Sequence, residues 1–277
     1  MKLFGSRLHF DILNINNHDL IQEIQKIKNS NANLIQCFVK ANKQKYIYND
    51  LKNELIKNNI KLVVHASYTI NIAKDWDKYS SHLIQFIKEI KIAEYLGAFG
   101  IVLHIGKQLK LNTQCALNNM YSSMIYIYNQ IKDLKIKIFF ETSTGQGSEM
   151  CFDLKELAVF FNKFIKSNNL EDKFRICLDT CHIYQAGYDI TDKHKIAQYL
   201  KDFDNLIGLR YIALVHLNDS KNNLGQKIDR HESLGKGYIG HTALKFIAEY
   251  FLKNNVPIIL ETPAEYVKEE IREYFLF

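Results

Sequence analysis

The sequence predicts an α/β fold, a (β/α)8 TIM barrel forming a single domain over residues 1–277, on three observations. Eight short apolar runs alternate with amphipathic segments of helix length. Six of those runs carry His, Asp or Glu at or next to their last position, and the carboxyl ends of barrel strands are where this fold does its chemistry. The 277 residues, 47% of them hydrophobic, suffice for one large core, and no low-complexity linker or composition break divides them. An open doubly wound sheet would give similar spacing but not so many convergent polar strand ends.

Taken in order, the strand candidates are Leu3–Phe10, Leu34–Val39, Lys61–His65, Gly100–Ile105, Ile136–Glu141, Arg175–Asp179, Tyr211–His216 and Pro257–Glu261. Between them, Ser81–Leu96 spaces Leu83, Phe86, Ile87, Ile90 and Ala93 by threes and fours, one apolar helix face, and Gly97 follows where a C-cap glycine belongs. Asp153–Ile165 repeats the pattern with Leu154, Leu157, Phe160, Phe161 and Phe164, with Asp153 as N-cap and Glu156 three residues on. His241–Leu252 repeats it again with Leu244, Ile247, Ala248 and Phe251.

The charge is +6, from 36 Lys+Arg against 30 Asp+Glu, which suits a polyanionic partner without identifying one. Five cysteines with no C-x-x-C imply a reducing, intracellular setting, cytoplasmic or nuclear, without structural disulfides. The first residues enter a strand-like run with no apolar signal segment, and no stretch is apolar enough to span a bilayer, so neither secretion nor a membrane partner is expected.

The stretch Val215–Gly237 carries the densest chemistry. His216 closes an apolar run, and Asp229 and His231, two apart in an extended segment, point to the same side. At the other strand ends stand His65, His104, Glu141, Asp179 and Glu261, with His182 in a loop just beyond. Singly, a strand-end His is usually a hydrogen-bonded structural residue and a strand-end carboxylate a helix cap. Jointly, these nine nitrogen and oxygen donors suit two or three ions, zinc first, with manganese or iron as acceptable substitutes. Closely spaced metals clamp the attacking and leaving oxygens of a phosphate ester, which makes ester hydrolysis the natural chemistry. Cys177 and Cys181 flank Asp179 but read as core and turn packing rather than ligands. Gly145-Gln146-Gly147 reads as a sharp turn rather than a phosphate cradle. His9, His18, His82, His194 and His241 break the strand-end rule and read as surface or supporting residues.

Over nearly the whole chain the sequence resembles the endonuclease IV family of apurinic/apyrimidinic endonucleases. The resemblance is carried by His65-Ala66-Ser67-Tyr68, Leu103-His104-Ile105-Gly106, Glu141-Thr142-Ser143-Thr144-Gly145-Gln146-Gly147, Cys177-Leu178-Asp179-Thr180-Cys181-His182, His216-Leu217-Asn218-Asp219, Asp229-Arg230-His231 and Leu260-Glu261-Thr262-Pro263, in that order. It implies a trinuclear zinc site, with His65, His104 and Glu141 on one ion. Glu141 would bridge to a second, shared with Asp179, His216 and Glu261, and His182, Asp229 and His231 would hold the third. It implies incision of duplex DNA 5′ to an abasic site by metal-bound hydroxide, leaving a 3′-hydroxyl and a 5′-deoxyribose phosphate. Glu141 and Glu261 would also orient the nucleophile, and the family suggests a monomer.

The resemblance further implies that Tyr68 inserts into the DNA and that Lys43 stands where relatives carry Arg. An ordinary packing aromatic and a solvated charge are the alternatives. Thr69 replaces a common apolar residue, Arg7 lies where a His is usual, and Lys107 replaces Ser, departures that bear on the DNA-contacting loops rather than the metals. Two rivals remain: a TIM-barrel sugar isomerase or epimerase with one or two metals, and a non-catalytic DNA-damage binding protein.

Overall fold

The computed structural model describes residues 2–7, 17–41 and 45–276. Eight parallel strands close a barrel: β1 (Phe4–Arg7), β2 (Leu34–Phe38), β3 (Lys61–His65), β4 (Gly100–His104), β5 (Lys137–Glu141), β6 (Phe174–Asp179), β7 (Ile212–His216) and β10 (Ile258–Leu260). Between β7 and β10 a small antiparallel ribbon, β8 (Asp219–Ser220) with β9 (His231–Glu232), rises from the rim. The helices are α1 (Asn17–Asn29), α2 (Lys45–Asn58), α3 (Ser81–Leu96), α4 (Thr113–Ile131), α5 (Leu154–Phe164), α6 (Thr180–Gln185), α7 (Lys193–Leu206), α8 (His241–Lys253) and α9 (Val267–Phe275). Among the described residues no helix is long and apolar enough to cross a membrane.

The expected elements form, with shifted ends. Tyr211 lies in a 3-10 turn before β7, and Glu261 stands one residue past β10. Of the first predicted strand, residues 8–10 lie outside the described residues, as does His9. Gly97 ends α3 at φ 76°, a left-handed position that glycine adopts without strain. Asp153 caps α5 by accepting from the N–H of Lys155 and Glu156. Glu156 does not close a capping box; its carboxylate accepts from Cys151 N at 3.0 Å.

The core has two parts. The larger lies between the strands and the helices that surround them. The smaller fills the barrel interior with Leu34, Val63, Val102, Phe139, Cys177, Leu214 and Ile259. Side chains two apart on a strand share a face. Two residues above each plug residue stand Gln36, His65, His104, Glu141, Asp179, His216 and Glu261. The apolar plug therefore ends in a polar ring at the carboxyl rim.

Glycine is required where β1 meets β2. A Cβ on Gly5 would lie 1.6 Å from Leu34 O, a backbone atom that cannot give way. Gly5→Ala is expected to cost about 3 kcal/mol, the upper range for overpacking, measured by denaturant unfolding. A variant as stable as the native chain would mean that the β1–β2 seam yields.

Candidate metal centre

Strands β3 to β7 each end on one predicted residue, Glu261 follows β10, and α6, β9 and the loop before β9 bring the other three, so that the rim gathers all nine predicted residues. Glu141 is central. Its Oε2 lies 3.3 Å from His65 Nε2 and 3.0 Å from His104 Nε2, while Oε1 lies 2.7 Å from His216 Nδ1. His216 Nδ1 also faces Glu261 Oε2 at 3.3 Å and Asp179 Oδ2 at 3.8 Å. Beyond this, Asp229 Oδ1 lies 3.3 Å from both His182 Nε2 and His231 Nε2. The potential ligand atoms of His65, His104 and Glu141 lie within 4.8 Å of one another, and so do those of Glu141, Asp179, His216 and Glu261, and those of His182, Asp229 and His231.

Two of these residues arrive differently from expectation. His182 is not in a loop but in the first turn of α6, whose N-cap is Asp179 accepting from His182 N at 2.9 Å. His231 sits on the β8–β9 ribbon. Asp219, buried at its foot, accepts from the N–H of Gly235, Gly237 and Ile239 at 2.9–3.0 Å, fixing the chain just after His231.

Further side-chain and backbone groups hold the ring, and sequence reasoning assigned none of those that follow. Gln36 donates to Glu261 Oε1 at 2.7 Å and lies 2.8 Å from His216 Nε2. Asn218 donates to Asp179 Oδ2 at 2.7 Å and accepts from Glu261 N. Gln146 accepts from Asp229 N at 2.7 Å, and Thr142 O lies 2.7 Å from His182 Nδ1. The period-two alternation above Leu34 was the signal for Gln36.

The electrostatics follow from opposite charges packed away from water. Burial would raise the Glu141 carboxyl, but His104 and His216 outweigh it and hold it well below the usual range. Glu261 is held down against burial chiefly by His216, and Asp229 by His182. Burial would lower the imidazoles, yet Asp179 and Asp229 raise His182 well above its ordinary value. His216 is raised likewise against burial by Cys177, Glu261 and Glu141, His104 by Glu141 and His231 by Asp229. Four carboxylates among five imidazoles demand positive charge in the cluster, as protons or as cations.

The donor set fits cations. His182 Nε2 and His231 Nε2 are buried without a hydrogen-bond partner, although each faces Asp229. Ligands about 2.0–2.1 Å from a tetrahedral ion lie roughly 3.3 Å apart, which is the distance from Asp229 Oδ1 to each of these two nitrogens. Cys177 and Cys181 are buried, and burial pushes both thiols up to about 12. Their sulfur atoms do approach the cluster, Cys177 near Glu141 and His216, Cys181 near Asp179 and His231. Gly145 and Gly147 turn the loop at φ 82° and 62°.

Tyr68 is 62% exposed at the rim, its ring 5.4 Å from His65 and 5.3 Å from His104. Lys43 lies outside the described residues. Lys107 pairs with Glu149 at 3.4 Å, and the Thr69 hydroxyl bonds Ser67. His82, expected at the surface or in support, is buried in α3; His241 starts α8 and its ring bonds Tyr274.

A closed barrel with such a rim is a xylose isomerase-like TIM barrel, and the model of that family matches residues 24–275. The chain is 39% identical over 223 residues to a protein named "Probable endonuclease 4" from Ureaplasma parvum serovar 3, covering 79% of this chain and 72% of that one. It belongs to the endonuclease IV family and is an enzyme of that type. The fold is shared with endonuclease IV from Thermus thermophilus, at TM-score 0.80 and 22% identity over 98% of this chain and 97% of the other. It is shared as well with a D-tagatose 3-epimerase-like protein, at TM-score 0.73 and 20% identity over 100% and 97%.

Proposed function

We propose that the nine rim residues hold three divalent cations, zinc with manganese acceptable at one or more positions, and that the protein incises duplex DNA 5′ to abasic sites. The products are a 3′-hydroxyl and a 5′-deoxyribose phosphate. The observation that carries this is the convergence of three donor groups, each within 4.8 Å, two of them linked through the two oxygens of Glu141. Such ions supply Lewis acidity toward phosphate oxygens and a nucleophile at neutral pH.

The chain supplies the rest. Glu141 divides its oxygens between His65 with His104 and His216, and so ties two donor groups together. Glu261 has Oε1 committed to Gln36, leaving Oε2 to orient the attacking water and take its proton. Tyr68 stands on the rim where a flipped abasic sugar leaves a gap to fill, offsetting lost stacking of a few kcal/mol. Lys43, where relatives carry Arg, contacts the DNA, and the protein acts as a monomer inside the cell.

Elemental analysis of protein purified without chelator is expected to give three ions per chain, together with nicking of a duplex bearing one abasic analogue. One or two ions per chain with sugar isomerisation or epimerisation would transfer the assignment to the isomerase or epimerase reading. Binding to damaged duplex without nicking by the loaded protein would leave only a damage-binding role.

A further inference from the structure

We propose that Gln36 is a positioning residue that sets the tautomer of His216 and aims Glu261 at the ion these two would share; this rests on the metal-binding reading above. Gln36 is fully buried, on the strand between β1 and β3, and belongs to the same inward ring as the ionisable residues. Its amide touches two of them at once, Glu261 Oε1 at 2.7 Å and His216 Nε2 at 2.8 Å.

The orientation of that amide follows from chemistry. Ionised carboxylate oxygens only accept, so the amide N–H must face Glu261. The amide oxygen then faces His216 Nε2, and an amide oxygen also only accepts. Nε2 must therefore carry the proton. Its lone-pair nitrogen is then Nδ1, the atom that faces Glu141, Glu261 and Asp179 at 2.7, 3.3 and 3.8 Å. One neutral side chain thus presents an imidazole and a carboxylate in the forms a cation needs, as outer partners of metal ligands generally do. The reversed amide would set oxygen against oxygen at Glu261.

The test compares native protein with Gln36→Met, similar in length but without either hydrogen bond. Zinc per chain is measured after dialysis against buffers of graded free zinc. The variant is expected to lose one ion at about 10–100-fold higher free zinc than the native chain, the usual effect of removing such a partner, while the other two ions stay. Equal retention of all three overturns the proposal. A native chain that binds no zinc fails the metal reading instead. Should Gln36→Met not fold, nitrogen-15 spectra of histidine-labelled native protein with zinc decide: protonated Nε2 on His216 is expected, and protonated Nδ1 overturns the inference.

Discussion

Glu261→Gln is expected to lower nicking of an abasic duplex by about 10²–10⁴-fold, the range for removal of a proton acceptor that acts in the reaction. The change is nearly isosteric. Glutamine keeps an oxygen for Gln36, and the backbone N–H at 261 keeps its bond to Asn218. What disappears is the negative charge that faces His216 Nδ1 at 3.3 Å and His231 Nδ1 at 3.9 Å. DNA affinity should survive, because removing a buried negative charge does not weaken attraction to phosphate. Gel shift and nicking on the same duplex check both halves. A variant that nicks within about tenfold of the native rate would take Glu261 out of the reaction.

Stripping the ions should abolish nicking and lower stability, by about 4 kcal/mol for each ion otherwise present at a thousand times its dissociation constant. The loss should grow as pH rises. In the stripped protein, His104, His182, His216 and His231 titrate above their ordinary 6.5. A raised imidazole contributes stability that is fully present below pH about 6.5 and disappears as pH climbs through its native value. Their partners Glu141 and Glu261 titrate below their ordinary 4.5, so their contribution fails only at the acid end. Zinc works in the other direction, because it needs neutral imidazoles and binds better as protons leave. The melting-temperature gap between loaded and stripped protein should therefore widen from about pH 5.5 to about pH 8.5. A constant or narrowing gap would mean that cations and protons do not compete for these side chains.

The barrel was legible because its strands are buried on both faces and read as apolar runs, and because polar strand ends recur at His65, His104, Glu141, Asp179, His216 and Glu261. Local elements of a few residues were not. α6 holds six residues, and its start is set by Asp179 acting as a cap, so His182 read as part of a loop. The β8–β9 ribbon has two residues a side, too short for any alternation to register. Gln36 escaped because its side chain does not ionise and so carries no chemical signature, whereas the barrel's geometry treats every inward position above the plug alike. His82 read as peripheral because one residue carries no sign of which helix face it joins.

Closure of the ring has a consequence for synthesis. β10 wedges between β1 and β7, and the contact it brings, Gln36 with Glu261, spans 225 positions. A chain emerging from the ribosome can build helices and early strand pairs as it grows. Until the final strand is threaded into place it keeps two open edges and lacks the carboxylate at 261. The polar ring is thus complete only once β10 lies between its two neighbours, and a chain that has not yet placed it has neither the closed barrel nor the Gln36–Glu261 bond.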